Sequence, residues 1–187
     1  MQHHKCPSFS TGFILLSLIL AFGFVACEER IKPSVLSDLK NQDLPSHESW
    51  NSTITFSDSG NITAILKVGH LEKYEERQTT ILDGGLRVDF FDASGHHTSV
   101  LTALKGTVDD RTHDIEATEN VVVVSDSGTT LQTEQLLWKN SSRHVHSDEF
   151  VKIISPKEEI QGHGLDSDED LKNYKIFRVT GQTTMAK

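Results

Sequence analysis

The chain has 187 residues, with 18 Lys and Arg against 27 Asp and Glu, a formal net charge of −9 and two cysteines. This acidity argues against general nucleic-acid binding, which depends on neutralising phosphates, and the length suits one domain with a core of its own. No G-x-x-x-x-G-K-[ST] loop and no G-x-S-x-G element occurs, which speaks against ATP hydrolysis and against a serine hydrolase.

At the N-terminus, His3, His4 and Lys5 precede an apolar run from Phe13 to Ala26, followed by Cys27 and Glu28-Glu29-Arg30. Roughly 14 residues of helix span about 21 Å, short of the ~30 Å hydrocarbon core, so residues 1–26 fit a signal peptide better than a permanent transmembrane helix. Phe24-Val25-Ala26-Cys27 resembles a bacterial lipobox, although Phe24 stands where Leu is usual. The alternative is an ordinary secretory peptide in which Cys27 falls by chance. Acylation of Cys27 with several chains would tether the mature protein to a membrane. Cys6 lies in the removed segment, so the mature domain is expected to fold without a disulfide. Residues 27–49, polar and with Pro33 and Pro45, read as the lipidated Cys and a flexible tether, and a domain over 50–187 follows.

From Trp50 onward the dominant pattern has period two, the mark of strands with one buried face. Ile54 and Phe56 share a face. Ile62, Ala64, Leu66 and Val68 fall together, as do Leu86, Val88 and Phe90, and Val151 and Ile153 continue the habit. Val121 to Val124 are apolar on both faces, which fits either a strand covered on both sides or an unpaired edge. Helix signals are confined to Ser167–Asn173, where Ser167, Asp168 and Glu169 could open one short turn. The chain reads as all-β.

Three similar turns punctuate it: Ser57-Asp58-Ser59-Gly60, Asp92-Ala93-Ser94-Gly95 and Ser125-Asp126-Ser127-Gly128. Each Gly can supply the positive φ that tight hairpins demand. A second repeat appears as Leu101, Val108, Ile115 and Val121 followed by Leu131, Trp138, Val145 and Val151, with Asp109–Thr112 corresponding to Lys139–Ser142 and a weaker third copy near Ile160. Repeated strand-turn-strand units imply stacked hairpins that bury a shared interior.

The stretch ITFSDSGNITAILKVGHLEKYEE, then LDGGLRVDFFDASG, SVLTALKG, the following DDRTHDIEATENVVVVSDSGTTLQTEQLLWKNSSRHVHSDEFVKI and the closing IQGHGLDSD are together similar to the LptC family of lipopolysaccharide-export proteins, and the second half to the repeat shared with LptA. The resemblance implies an open antiparallel β-jellyroll whose apolar interior holds lipopolysaccharide acyl chains. It further implies a periplasmic place on the inner membrane, docking on the ABC transporter complex LptBFG and delivery to an LptA-like bridge protein. One departure is that well-known members keep an uncleaved transmembrane helix, whereas this chain reads as lipid-anchored at Cys27. Candidate residues for the lipid-facing interior are Ile54, Phe56, Leu66, Leu86, Val88, Phe90, Leu101 and Leu131; the same residues would equally form the core of an ordinary sandwich.

No catalytic residue, metal site or cofactor is expected. His144 and His146 share a strand face, but two ligands do not make a zinc site. Asp166, Asp168, Glu169 and Asp170 lack the spacing of a calcium loop and read as a solvated helix start. Two rival functions remain: a membrane-anchored β-repeat scaffold without lipid cargo, and an envelope glycosidase with two converging carboxylates.

Overall fold

The computed structural model describes residues 44–184. The expected signal peptide, Cys27 and most of the tether lie outside the described residues. Ten antiparallel strands form one sheet: β1 (His47–Asp58), β2 (Asn61–Tyr74), β3 (Thr79–Phe91), β4 (His97–Ala103), β5 (Lys105–Asp109), β6 (Ile115–Ser125), β7 (Thr130–Lys139), β8 (His144–Ile154), β9 (Glu158–Asp168) and β10 (Tyr174–Thr184). Among the described residues no helix is long and apolar enough to cross a membrane. β1 begins three residues ahead of Trp50, within the stretch that reads as tether.

The sheet order follows the chain except that β4 and β5 share one place between β3 and β6. β4 pairs with the C-terminal half of β3 and β5 with its N-terminal half, the two being separated at the exposed Leu104. β1 and β10 are the two ends of this order, each paired on one side only among the described residues. The fold is therefore an open β-jellyroll.

The sheet is folded over across the middle of its strands. Val88, Leu101, Val123 and Leu131 lie in register on adjacent strands. On a flat sheet this register would put Phe90 and Trp138 roughly 30 Å apart, from a rise of ~3.3 Å per residue and a spacing of ~4.8 Å between strands. Their ring centroids are 5.1 Å apart. The crease is marked by register shifts between Val68 and His70, Thr118 and Val121, Thr133 and Leu137, and Ser147 and Phe150. At the crease Gly69 packs so closely on β3 that a Cβ there would stand 2.5 Å from the Gly84 carbonyl oxygen.

The turns follow the expected chemistry in two versions. At Asp58–Asn61 both central residues, Ser59 and Gly60, have positive φ, 50° and 87°, as a two-residue type I′ hairpin requires. In the other two the Gly N–H donates back to a residue three earlier, Gly95 to Asp92 O and Gly128 to Ser125 O, each at 2.9 Å, with Gly in the left-handed conformation. These match the three-residue hairpin with a G1 bulge.

Several expectations need correction. Ile62 is 43% exposed while its neighbour Thr63 is buried, because a bulge between Phe56 and Ser57 changes the phase of the β1–β2 pairing. Val121–Val124 are neither an edge nor covered on both faces: β6 is paired on both sides, Val121 and Val123 are buried, and Val124 is exposed on the outer face. Residues 167–173 form the end of β9 and a turn, not a helix, with Asp168 Oδ1 accepting the Lys172 N–H at 2.8 Å. Glu169 in that turn is buried, where the acidic run suggested a solvated surface.

Candidate functional site

The inner face of the folded sheet carries a continuous apolar ladder. Strand register places Ile54 opposite Leu66, Leu66 opposite Val88, Val88 opposite Leu101, Leu101 opposite Val123, Val123 opposite Leu131, Leu131 opposite Ile153 and Ile153 opposite Ile160. The row runs perpendicular to the strands from β1 to β9. Seven strand spacings of ~4.8 Å give it a length of about 34 Å. Its interior members are fully buried, whereas Ile54 and Ile160 at the two ends are partly buried.

The other half of the fold faces this ladder with its own row, Val108, Ile115, Trp138 and Val145, also in register. Trp138 joins the halves, its ring lying 5.1 Å from Phe90 and 6.2 Å from Phe56. Of the eight residues expected to line the interior, Ile54, Leu66, Val88, Leu101 and Leu131 belong to the ladder, and Phe56, Leu86 and Phe90 lie beside it on the same face. The expectation omitted Leu71, Leu82, Leu136, Leu165 and Leu171, all of which are buried in the same core. Leu71 is hidden in the sequence because the crease at Gly69 resets the alternation after Val68.

The interior opens at the β1 edge through a cleft of about 510 Å³ lined by Ile54, Phe56, Leu71 and Val108, with Lys73, Asp110 and His113 at its polar side. Lys73 Nζ lies 3.2 Å from Asp110 Oδ2, and Thr80 Oγ1 donates to Asp110 Oδ1 at 2.8 Å. The cleft thus combines an apolar floor with a charged side, a combination that suits an amphiphile. Among the expected interior residues only Ile54 and Phe56 reach it; the other six are packed behind.

A second, more polar cleft of about 840 Å³ lies at the β9–β10 end, lined by residues including Lys157, Glu158, Leu171, Lys172, Tyr174 and Lys175. Tyr174 partly closes it, donating its hydroxyl to Glu158 Oε1 at 2.9 Å. Burial, with the Glu158 carboxylate beside it, pushes the Tyr174 phenol above its ordinary range.

The β9–β10 turn, which lines part of this second cleft, is drawn into the core. Leu171 is buried, and Glu169 accepts the indole N–H of Trp138 at 3.1 Å and the Arg143 Nε–H at 3.0 Å. Arg143 also donates through Nη2 to Glu169 and to the Phe91 carbonyl, and Ser99 Oγ–H donates to the Glu169 carbonyl at 2.6 Å. Desolvation pushes the Glu169 carboxyl above the usual carboxylate range, against the pull of Arg143 and Trp138.

The paired histidines of the sequence, His144 and His146, stand beside acids, His144 Nδ1 3.0 Å from Asp166 and His146 Nε2 3.2 Å from Asp148, and His97 Nδ1 likewise lies 2.9 Å from Asp126.

A comparison with curated proteins finds no match. The family model described as lipopolysaccharide-assembly, LptC-related, matches residues 14–184. An open β-jellyroll with an apolar inner face, matched by this model over nearly its whole length, belongs to the LptC family, a component of lipopolysaccharide transport.

Proposed function

We propose that this protein is a periplasmic carrier that takes lipopolysaccharide from the inner-membrane ABC transporter LptBFG and passes it to an LptA-like bridge protein. The observation that carries the proposal is the unbroken apolar ladder from Ile54 to Ile160, which runs across the strands from the edge strand β1 to β9, the neighbour of the edge strand β10. Moving a bare acyl chain of about 12 carbons through water costs on the order of 10 kcal/mol, at ~0.8 kcal/mol per methylene. A ladder of this kind removes that cost along its length. Under this reading the chain has no enzymatic role, the mature protein begins at Cys27, lipid there holds it on the periplasmic side of the inner membrane, and the residues between Cys27 and the start of β1 at His47 give it reach.

The interior is packed by its own side chains, with Leu66, Val88, Phe90, Leu101, Leu131 and Trp138 fully buried. Loading therefore requires the two halves to part, which the edges β1 and β10 permit because, among the described residues, no strand closes the sheet. The same packing favours the rival reading, a membrane-anchored scaffold with a dry core. Photocrosslinking in cells separates them, with the probe at Phe56 or Phe90 on the inner face and at Arg87 on the outer. Lipopolysaccharide adducts at the inner positions and none at Arg87 are expected of the carrier. Absence of adducts at all three positions, in folded and anchored protein, would favour the scaffold. Retention of membrane association by Cys27→Ser would remove the lipid anchor from the account.

A further inference from the structure

Glu48, His70 and Glu72 bring one ligand atom each to within 4.8 Å of one another. They lie on the outer face of β1 and β2, since the intervening Ser49 and Leu71 line the inner cleft. Register assembles them: Glu48 stands directly opposite Glu72, Trp50 opposite His70, and His70 opposite Asp83 on β3. Two carboxylates opposed across a strand pair repel each other unless a cation is set between them. Here the imidazole of His70 occupies that place, with Nε2 at 2.9 Å from Glu48 Oε1.

The groups behind the cluster are arranged as they are behind known metal ligands. Asp83 Oδ1 lies 3.1 Å from His70 Nδ1, so the N–H at Nδ1 is held by a carboxylate and Nε2 is turned toward Glu48. A carboxylate on the far nitrogen fixes the tautomer and raises the basicity of a metal-binding imidazole. Tyr74 OH donates to Glu72 Oε2 at 3.0 Å, and the Trp50 ring stacks on His70 with centroids 5.1 Å apart. All six side chains stand on strands, where position is better held than on loops.

We propose that Glu48, His70 and Glu72 bind a divalent transition-metal ion of zinc's class, which ties the edge strand β1 to β2. One nitrogen and two carboxylate ligands with an open fourth position suit zinc better than calcium or magnesium, which favour all-oxygen sets. The ion takes the place of the proton on Nε2 and draws the two opposed carboxylates onto itself. The site is independent of the lipid-carrying reading, because it lies on the opposite face of the strands.

The test is a titration of the purified full chain in detergent, stripped with chelator, with zinc chloride, followed by calorimetry and by tryptophan fluorescence. One saturable site is expected, with magnesium and calcium failing to compete. A change in emission should accompany it, because Trp50 stacks on the ligand His70 while Trp138 is sealed in the core. Glu48→Gln and Glu72→Gln should each weaken binding at least tenfold. Asp83→Asn, which leaves all three ligands in place, should weaken it about 10- to 100-fold. Glu48 is exposed, so its variant retains the fold and keeps the test meaningful should His70→Asn unfold. Zinc binding that persists at equal affinity in Glu48→Gln and Asp83→Asn is adventitious binding at other histidines and overturns the proposal. So does the absence of saturable binding in the wild-type chain.

Discussion

Replacing Glu169 tests what holds the β9–β10 turn inside the fold. Its carboxylate accepts from Trp138 on β7 and from Arg143 in the β7–β8 turn, while Arg143 reaches the Phe91 carbonyl at the end of β3 and Ser99 on β4 binds the Glu169 backbone. Glu169→Ala leaves the indole N–H and the guanidinium without this acceptor. Breaking a buried pair costs about 3–5 kcal/mol, but water already reaches part of Arg143, whose side chain is 29% exposed, so the expected loss is about 2–3 kcal/mol. For a domain of this size that corresponds to a fall of roughly 6–10 °C in Tm. Urea unfolding of the full chain in detergent, followed by circular dichroism, measures it, and hydrogen exchange at Asp170–Asn173 should rise in parallel. The double variant Arg143→Met, Glu169→Leu should recover most of the loss, because it removes both buried charges together. The pH dependence has a definite sign. Burial raises the folded-state value of Glu169 above its ordinary 4.5, so its contribution to stability is present below about that pH and is lost as pH rises through the folded-state value. Glu169→Gln should abolish that slope. A loss under about 0.5 kcal/mol for Glu169→Ala, with exchange unchanged, would show that Leu171 packing alone seats the turn and would refute the reasoning.

Three further outcomes are expected. Gly162→Ala should detach β10 from β9, since the added Cβ would stand 2.2 Å from the Arg178 carbonyl oxygen; overpacking of this kind costs about 1–3 kcal/mol, and amide exchange confined to β10 and its β9 partners would report it. Phe90→Ala should cost about 3–5 kcal/mol in urea unfolding, because Phe90 is fully buried against Trp138, and a loss below 1 kcal/mol would mean that the two halves are not in packed contact. Asp109 is pulled down to about 2 from its ordinary 3.8 by the Arg111 guanidinium and the N–H groups of Arg111 and Thr112. Its contribution to stability should be present above the unfolded value and disappear as pH falls toward about 2, and a carboxyl NMR titration with a midpoint near 3.8 would contradict this.

The all-β class, the three turns and the repeat were legible because their causes are local. Alternation reports which face of a strand is buried, and a Gly after Asp-Ser reports a turn that needs positive φ. For the same reason alternation found the inward face: of the eight residues named for it, seven are buried and Ile54 is partly buried. What the sequence hides is the crease. Each strand changes phase where it bends, so Val68 and Leu71, three residues apart, both point inward, and period-two reading loses the second half of the core. Glu169 was illegible for a different reason: an acidic run looks solvated until the Arg143 that answers it, distant in sequence, is brought to its side by β8 and β9. His70 and Glu72 share a strand face, but Glu48, 22 residues from His70, joins them only through register.

The crease also decides what kind of conduit this fold can be. A closed barrel would present its lumen along the barrel axis, and its strands would leave no edge for a neighbour. Here the apolar row runs across the strands, so the direction from Ile54 to Ile160 is also the direction from one unpaired edge to the other. A second protein of the same architecture that paired with β1 or β10 would therefore extend the hydrogen-bonded sheet and set its own apolar row in line with this one, directly beside Ile54 at β1 and one strand beyond Ile160, across Gln182, at β10. Continuity of backbone pairing and continuity of the lipid path are then one requirement. A proline placed in β10 at a residue that donates to an added strand should interrupt both together, whereas the same change at a residue bonded to β9 should unfold the edge itself. If the protein is the carrier proposed above, lipopolysaccharide transfer should be lost in the first case with the β9–β10 pairing intact, and transfer that survives there would count against an edge-to-edge path.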